Sequence, residues 1–180
     1  IGNTQPLLTG GFFIDARYKG YGLSFNASYT AKRTILNNAI AQRLSLMQYP
    51  YGDGPEGPQV VVPLDDLDMW RQPGDIAKYP YAYDYTRIGT VKPFRYDQTL
   101  WAEDGSYFKI NSIVASYQFD PRVAQSFGLS RLRLYFSMDN VYTFSTYSGP
   151  NPENVTALGR DVSNGYPVPR TFTFGCNIDF

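Results

Sequence analysis

The last eleven residues of the sequence are residues 170–180, and from Thr171 onward they alternate strictly between two kinds of side chain. One parity is apolar throughout and consists of Phe172, Phe174, Cys176, Ile178 and Phe180. The other parity is small or polar and consists of Thr171, Thr173, Gly175, Asn177 and Asp179. Because successive side chains of a β-strand point to opposite faces, this period of two predicts a strand with one apolar face. About ten residues also suits a tilted strand that crosses the hydrocarbon core of a bilayer.

The composition narrows the class of protein. The 180 residues fit one domain, and 16 basic residues balance 16 acidic ones, so charge gives no support for a nucleic-acid partner. Tyrosine (16) and phenylalanine (12) make the chain unusually aromatic, and 16 glycines with 13 prolines make it rich in turns. No run of 18 apolar residues exists, so a transmembrane helix is not expected. The one cysteine, Cys176, excludes an internal disulfide framework.

A β-hairpin is the clearest local pattern. Strands are predicted at residues 9–18 and 21–31, because apolar and polar side chains alternate through both. Lys19 and Gly20 form a two-residue connection, and glycine at its second position suits a type I′ turn. Tyrosines bracket the hairpin at Tyr18, Tyr21 and Tyr29. This placement fits aromatic girdles at the two interfaces of a membrane barrel.

Three further strands are predicted at residues 106–119, 131–144 and 170–180. In the first of them the apolar parity shifts at Asn111 and Ser112, where one extra residue would form a β-bulge. The total is five strands.

The connections between the strands differ in length. Two are short, and two are long loops at residues 32–105 and 145–169; a short amphipathic helix is predicted within residues 31–47. In an antiparallel sheet this order puts the short links at one end and the long loops at the other, as in outer-membrane barrels. Five strands alone would leave open edges, which lipid does not tolerate. We therefore expect the remaining strands upstream, in a longer protein of which this chain is an internal or carboxy-terminal piece.

Several short blocks of the sequence form a recognisable series. They are residues 1–3, 9–12, 18–21, 23–24, 107–117, 132–135, 139–144, 147–149, 152–153, 166–167 and 169–175, with Asn177 and Phe180. Together these blocks resemble the carboxy-terminal part of the SusC/RagA family of TonB-dependent outer-membrane transporters. They are similar to the family's hairpin, its next strand, its penultimate strand with the following loop, and its final signature. The sequence departs from the family at Cys176, where a larger aliphatic residue is usual, and in residues 32–105, which match no family pattern.

The resemblance implies a fold and a function. The fold is an all-β, antiparallel transmembrane barrel of 22 strands with long extracellular loops, of which residues 1–180 supply about five carboxy-terminal strands. The function is TonB-dependent active import of oligosaccharides or oligopeptides across the outer membrane of a Gram-negative bacterium. The implied partners are the rest of the barrel and its plug domain, a SusD-like surface lipoprotein that acts as a lid, the TonB complex and outer-membrane lipid. The carboxy-terminus would lie on the periplasmic side.

The residues give no support for an enzyme. Histidine is absent, which removes Ser-His-Asp, Cys-His and His-ligated metal sites from this chain. Asp65, Asp66 and Asp68 lack EF-hand spacing and fit a solvated acidic turn better than a cation site. We expect no catalytic residue, no metal and no cofactor.

Three sets of residues are candidates for contact or assembly. The set for substrate or lid contact is aromatic, because such rings offer an apolar face, and its alternative role is to pack the loop on itself or on the barrel rim. It consists of Trp70, Tyr79, Tyr81, Tyr83, Tyr85 and Trp101. The lumen-facing set is Asp15, Arg17, Arg133, Asp139, Asn177 and Asp179, for plug contact or a place in the substrate path. The assembly signal that the resemblance implies is Phe172, Phe174, Ile178 and Phe180.

Two other functional classes fit the pattern of strands. The first is a soluble antiparallel β-sandwich that acts as a binding module, in which the apolar faces pack on each other. The second is a passive porin or adhesin barrel, which needs no plug. A sandwich would bury the apolar parity of each strand, whereas a barrel would expose it on a continuous outer band.

Overall fold

A computed structural model describes residues 2–46, 67–80, 98–162 and 168–180. In chain order its elements are β1 (Leu8–Tyr18), β2 (Tyr21–Ala31), β3 (Thr34–Leu36), α1 (Asn38–Leu46), a 3-10 turn (Thr99–Trp101), β4 (Ala102–Asp104), β5 (Tyr107–Gln118), α2 (Pro121–Ser126), β6 (Arg131–Ser145) and β7 (Thr171–Asp179). The all-β, antiparallel fold class is confirmed, since helices are few and short.

The chain divides into two compact units. The sheet unit consists of Gln5–Arg33, Asp104–Tyr147 and Tyr166–Phe180. The loop unit consists of Ile1–Thr4, Thr34–Glu103 and Ser148–Gly165.

The sheet unit contains one antiparallel sheet in the order β1-β2-β5-β6-β7. The connection between β1 and β2 is the predicted two-residue turn, with φ of 45° at Lys19 and 85° at Gly20. Positive φ at both central residues defines a type I′ turn, whose twist matches that of the strands. The turn sets Tyr18 opposite Tyr21, and the pairing continues without interruption to Leu8 opposite Ala31.

The predicted β-bulge is present in β5. Asn26 pairs with Ser112 and Ala27 pairs with Ile110, so Asn111 is the extra residue on the β5 side. Asn111 Nδ2 donates to Asn26 Oδ1 (3.4 Å), and Ser28 Oγ donates to Asn111 Oδ1 (3.3 Å). The inserted residue restores the parity of the strand, and apolar side chains on both sides of it therefore share one face.

The apolar face of the sheet is open to its surroundings. Its outward side chains run across all five strands, and Phe174 is 74% exposed. None of the residues whose burial a sandwich requires is buried: Leu23, Phe25, Leu134, Phe136, Phe172, Phe174 and Ile178. The sandwich hypothesis is wrong, because the five long strands described here form one sheet rather than two packed layers.

The loop unit has a small core of its own. Asn37 caps α1, since its Oδ1 accepts from the Ile40 amide (3.1 Å). The helix lies within the residues predicted for it but begins later, because β3 precedes it and pairs with β4. Buried side chains of α1 pack with two aromatic residues in one cluster: Ala41, Leu44, Tyr79 and Trp101. Among the described residues, no helix has the length and apolar character needed to cross a membrane.

A tyrosine covers a glycine between β6 and β7, and this packing is testable. Tyr135 lies opposite Gly175, and a Cβ added at Gly175 would clash with the Tyr135 ring. We expect Gly175→Ala to lower the free energy of unfolding by about 1–3 kcal/mol, the usual cost of overpacking. Urea unfolding of the complete protein measures this. Tyr135→Ala in the same chain should remove most of the penalty, and Thr173→Ala should have little effect. Equal losses in the single and double variants would contradict the clash.

Candidate functional site

The apolar face carries an aromatic cluster at the turn end of the sheet. The rings of Tyr21 and Tyr117 lie 4.7 Å apart, and Phe119 meets Tyr117 edge to face at 4.9 Å. Lys19 Nζ lies 5.2 Å from the centre of the Tyr18 ring. Amphipathic rings with a nearby cation are typical of the boundary between hydrocarbon and water.

A second aromatic cluster lies at the opposite end of the same face. Phe12 stacks on Tyr29 (5.6 Å), and Phe144 lies 6.2 Å from Phe108 and 4.6 Å from Tyr142. Eight residues separate the girdle tyrosines of β2, or about 26 Å of strand. That spacing is close to the band of about 25 Å that flanking aromatic girdles define on membrane barrels.

The polar face carries an ion pair that hydrogen bonds hold in place. Arg17 Nε donates to Asp15 Oδ1 (3.0 Å), and Ser24 Oγ donates to Asp15 Oδ2 (2.7 Å). On β6, an Arg133 guanidinium N–H donates to Ser116 Oγ (3.0 Å). The carboxylate of Asp15 is therefore balanced within the sheet, and the local charge is close to neutral.

The register brings the six predicted lumen-facing residues to this one face. Asn177 lies opposite Arg133, and Asp179 lies opposite Arg131 with an oxygen–nitrogen distance of 3.7 Å. Asp139 pairs with both Ser112 and Thr171. That the face lines a lumen stays a prediction, since the described chain contains no enclosed barrel.

A groove of about 660 Å³ lies at the turn end of the sheet. Its lining is mainly polar and includes Arg17, Lys19, Ser116, Asp120 and Arg133. The groove contains both cationic and anionic side chains that can form hydrogen bonds. Such a lining suits contact with another polypeptide surface better than binding of an apolar ligand.

The aromatic candidates divide into three groups. Trp101 is 1% exposed and Tyr79 is buried beside it with ring centres 6.3 Å apart, so both stabilise the loop unit from within. Trp70 is 37% exposed and can offer part of its surface to another molecule. Tyr81, Tyr83 and Tyr85 lie outside the described residues. The role of this set in substrate or lid contact stays a prediction.

Residues 67–80 form a hydrogen-bonded turn that was not predicted from the sequence. The Trp70 amide donates to the Tyr79 carbonyl (2.8 Å), which joins the two arms of the turn. Asp75 Oδ2 accepts from the amides of Arg71 and Gln72, both at 3.0 Å. Ile76 projects from this turn and is 99% exposed. The Pro73-Gly74 dipeptide followed by Asp75 was the available signal in the sequence, because proline and glycine mark tight turns.

A polar cluster around one buried side chain joins three distant parts of the loop unit. Asn37 is fully buried, and its Nδ2 donates to Glu103 Oε1 (3.2 Å) and to Ser148 Oγ (3.0 Å). The Ser148 amide donates to Glu103 Oε2 (2.9 Å), and its hydroxyl contacts the same carboxylate at 2.8 Å. One carboxylate thereby fixes the start of α1 against the chain at Ser148.

The described residues contain no group of three or more His, Cys, Asp or Glu side chains that could hold a metal ion. Asp68 accepts a hydrogen bond from the Lys78 amide (3.0 Å), so its carboxylate serves the turn of residues 67–80. Asp65 and Asp66 lie outside the described residues.

Two relatives match this chain along its whole length. They are TonB-dependent receptor P39 and TonB-dependent receptor P3 of Formosa agariphila. Both are 28% identical to this chain, the first over 187 aligned residues and the second over 191. The chain spans 17% of the length of each of these relatives. No family model matches the sequence.

Solved structures match the fold. The RagAB peptide importer in its open-open state aligns with 98% of this chain and 17% of its own, with a TM-score of 0.67 and 23% identity. Another structure of the RagAB peptide transporter covers 99% of this chain and 18% of its own, with a TM-score of 0.66 and 20% identity. In sequence the chain is similar to TonB-dependent receptors, and in fold it is similar to part of the RagAB importer. The SusC/RagA resemblance inferred from the sequence is thereby confirmed.

The contribution of the polar cluster around Asn37 is testable. Glu103→Ala would remove the carboxylate that accepts from the buried Asn37 amide, and an unsatisfied buried donor costs about 1–3 kcal/mol. We expect faster amide hydrogen exchange in α1 and earlier proteolysis within the loop unit. Asp104→Ala is the matched control, because that exposed carboxylate accepts hydrogen bonds from Ser106 in the adjacent turn. Identical exchange in the two variants would show that the cluster does not hold the loop unit together.

Proposed function

We propose that this chain is a wall segment of an outer-membrane importer that depends on TonB. One observation carries the proposal: a single antiparallel sheet exposes a continuous apolar face that is bounded at both ends by aromatic clusters. Water does not tolerate so large an apolar surface, whereas lipid requires one. The opposite face is polar and suits a water-filled or plugged interior.

The open edges of the sheet support the same proposal. In the described sheet, β1 and β7 each pair on one side only. Unpaired backbone groups are costly in hydrocarbon, so further strands of the complete protein must continue the sheet on both sides. The length of the relatives, about six times that of this chain, leaves ample polypeptide for those strands and for a plug.

The cargo and the lid are finer parts of the proposal. The solved neighbours are peptide importers, which favours oligopeptides, and oligosaccharides are the second candidate class. A SusD-like lipoprotein would close the external side, and Trp70 with the tyrosines at 81, 83 and 85 would contact cargo or lid. TonB would act through a part of the protein outside this chain. The short turns and Phe180 would face the periplasm, and Phe172, Phe174, Ile178 and Phe180 would signal assembly.

Uptake of labelled cargo by whole cells tests import. Cells that carry the complete protein should accumulate labelled oligopeptides, and deletion of its gene or of TonB should reduce accumulation to background. A matched panel of labelled oligosaccharides separates the two cargo classes. Accumulation that is unchanged without TonB would favour a passive porin and would contradict active import.

Neighbouring residues of β6 test which face meets lipid. Phe136 lies on the apolar face and Ser137 on the polar face near the middle of the strand. Phe136→Arg should cost about 2–4 kcal/mol and lower the yield of folded protein in outer membranes. Ser137→Arg, with the same new charge one residue away, should be tolerated. The yield of folded protein is measured from its heat-modifiable mobility on gels. Equal yields of the two variants would exclude a lipid-facing role for Phe136.

A further inference from the structure

An exposed phenyl ring lies on the polar face of the sheet. Phe12 stacks on Tyr29 on the apolar face, so alternation places Phe13 on the opposite face. Phe13 is 70% exposed. Its neighbours along the same face of β1 are Gly11 and Asp15, so the ring stands among small and polar groups.

The surroundings of Phe13 are neutral and rich in amide groups. Phe13 pairs directly with Asn26, whose Oδ1 accepts from Asn111 at the bulge (3.4 Å). Ser28 donates to Asn111 from the next position of that face (3.3 Å). The Asp15 carboxylate beyond Phe13 is already balanced by Arg17 (3.0 Å). The phenyl ring and the amides together form a patch that combines apolar contact with hydrogen bonding and carries little net charge.

This combination fits the surface of a folded polypeptide. The phenyl ring is removed from water only by another apolar side chain, and carboxamides bond equally well to backbone N–H and C=O groups. A small ionic cargo would gain little, because the nearby charges are already paired. A stationary partner also suits the rigidity of the patch, since β1 is paired with β2 through eleven residues.

We propose that Phe13, with Asn26 and Asn111, anchors the plug of the transporter to the barrel wall. The inference rests on the proposed function, because the polar face of a barrel wall meets whatever the barrel encloses. This chain spans 17% of the length of its relatives, so most of the polypeptide that the wall could enclose lies outside it. A plug residue with an apolar side chain covers the ring, and plug backbone groups bond to the two asparagines.

Site-specific photo-cross-linking tests the anchor in the complete transporter within its membrane. Benzoylphenylalanine replaces Phe13 in one variant and Phe12 in a matched variant, so that a similar ring is kept at each position. We expect illumination of the Phe13 variant to give an intramolecular cross-link that mass spectrometry maps to the plug. The Phe12 variant should give lipid adducts instead. A Phe13 cross-link to an adjacent barrel strand, to lipid or to added cargo, or no cross-link at all, would overturn the anchor.

The Phe12 and Phe13 variants test the proposed function and the plug anchor separately. Lipid adducts at Phe12 report that the apolar face meets the membrane, which is the proposed function. Plug adducts at Phe13 report the anchor. Loss of the first result contradicts the membrane barrel itself, whereas loss of the second with the first intact contradicts only the anchor.

A permeability assay gives a second measurement of the anchor. Phe13→Ala should loosen the plug and raise the sensitivity of cells to a large antibiotic that the outer membrane normally excludes, by several-fold. Phe13→Leu keeps an apolar contact and should leave sensitivity near the wild-type level. Phe12→Ala is the control for general weakening of the strand. Equal sensitivity of the Phe13→Ala and wild-type cells, at equal amounts of folded protein, would count against the anchor.

Discussion

The structure depends on backbone pairing that keeps the apolar row of each strand on one face of the sheet. A slip of one residue between two strands would move a whole row of phenyl rings from one face to the other. The type I′ turn at Lys19 and Gly20 fixes the register of β1 and β2. The bulge at Asn111 then corrects the parity of β5, so that the apolar rows on both sides of it stay aligned. Register, rather than composition, therefore determines which residues can meet lipid.

Much of the sheet could be predicted because its signal is local. Alternation predicts the ends of the five long strands to within one residue, and the parity shift predicts the bulge at Asn111. A glycine in a two-residue connection was enough to identify the turn type. These signals are strong because the two faces of the sheet differ in polarity. Residue type therefore changes at every second position along each strand.

The loop unit could not be predicted in the same way, because its contacts join residues far apart in the chain. Nothing in the sequence links Asn37, Glu103 and Ser148, yet the Glu103 carboxylate bonds to both of the others. The aromatic candidates show a related difficulty. Trp70 and Trp101 look alike in the sequence, but the first is partly exposed and the second is buried against α1. Where the sequence shows no periodic pattern, the type of a side chain cannot tell whether the residue packs in a core or binds another molecule.

The two units differ in where their large apolar side chains lie. The loop unit buries large side chains such as Ile35, Leu44 and Trp101, as a domain in water must. Among the described residues of the sheet unit, Tyr147 is the one large side chain that is buried, and the phenyl rings are not. Water opposes that arrangement and hydrocarbon would remove the penalty, so a sheet in the proposed barrel would take its stability from lipid and neighbouring strands. On that proposal, a substitution in the sheet acts on insertion and assembly, whereas one in the loop unit acts on local order.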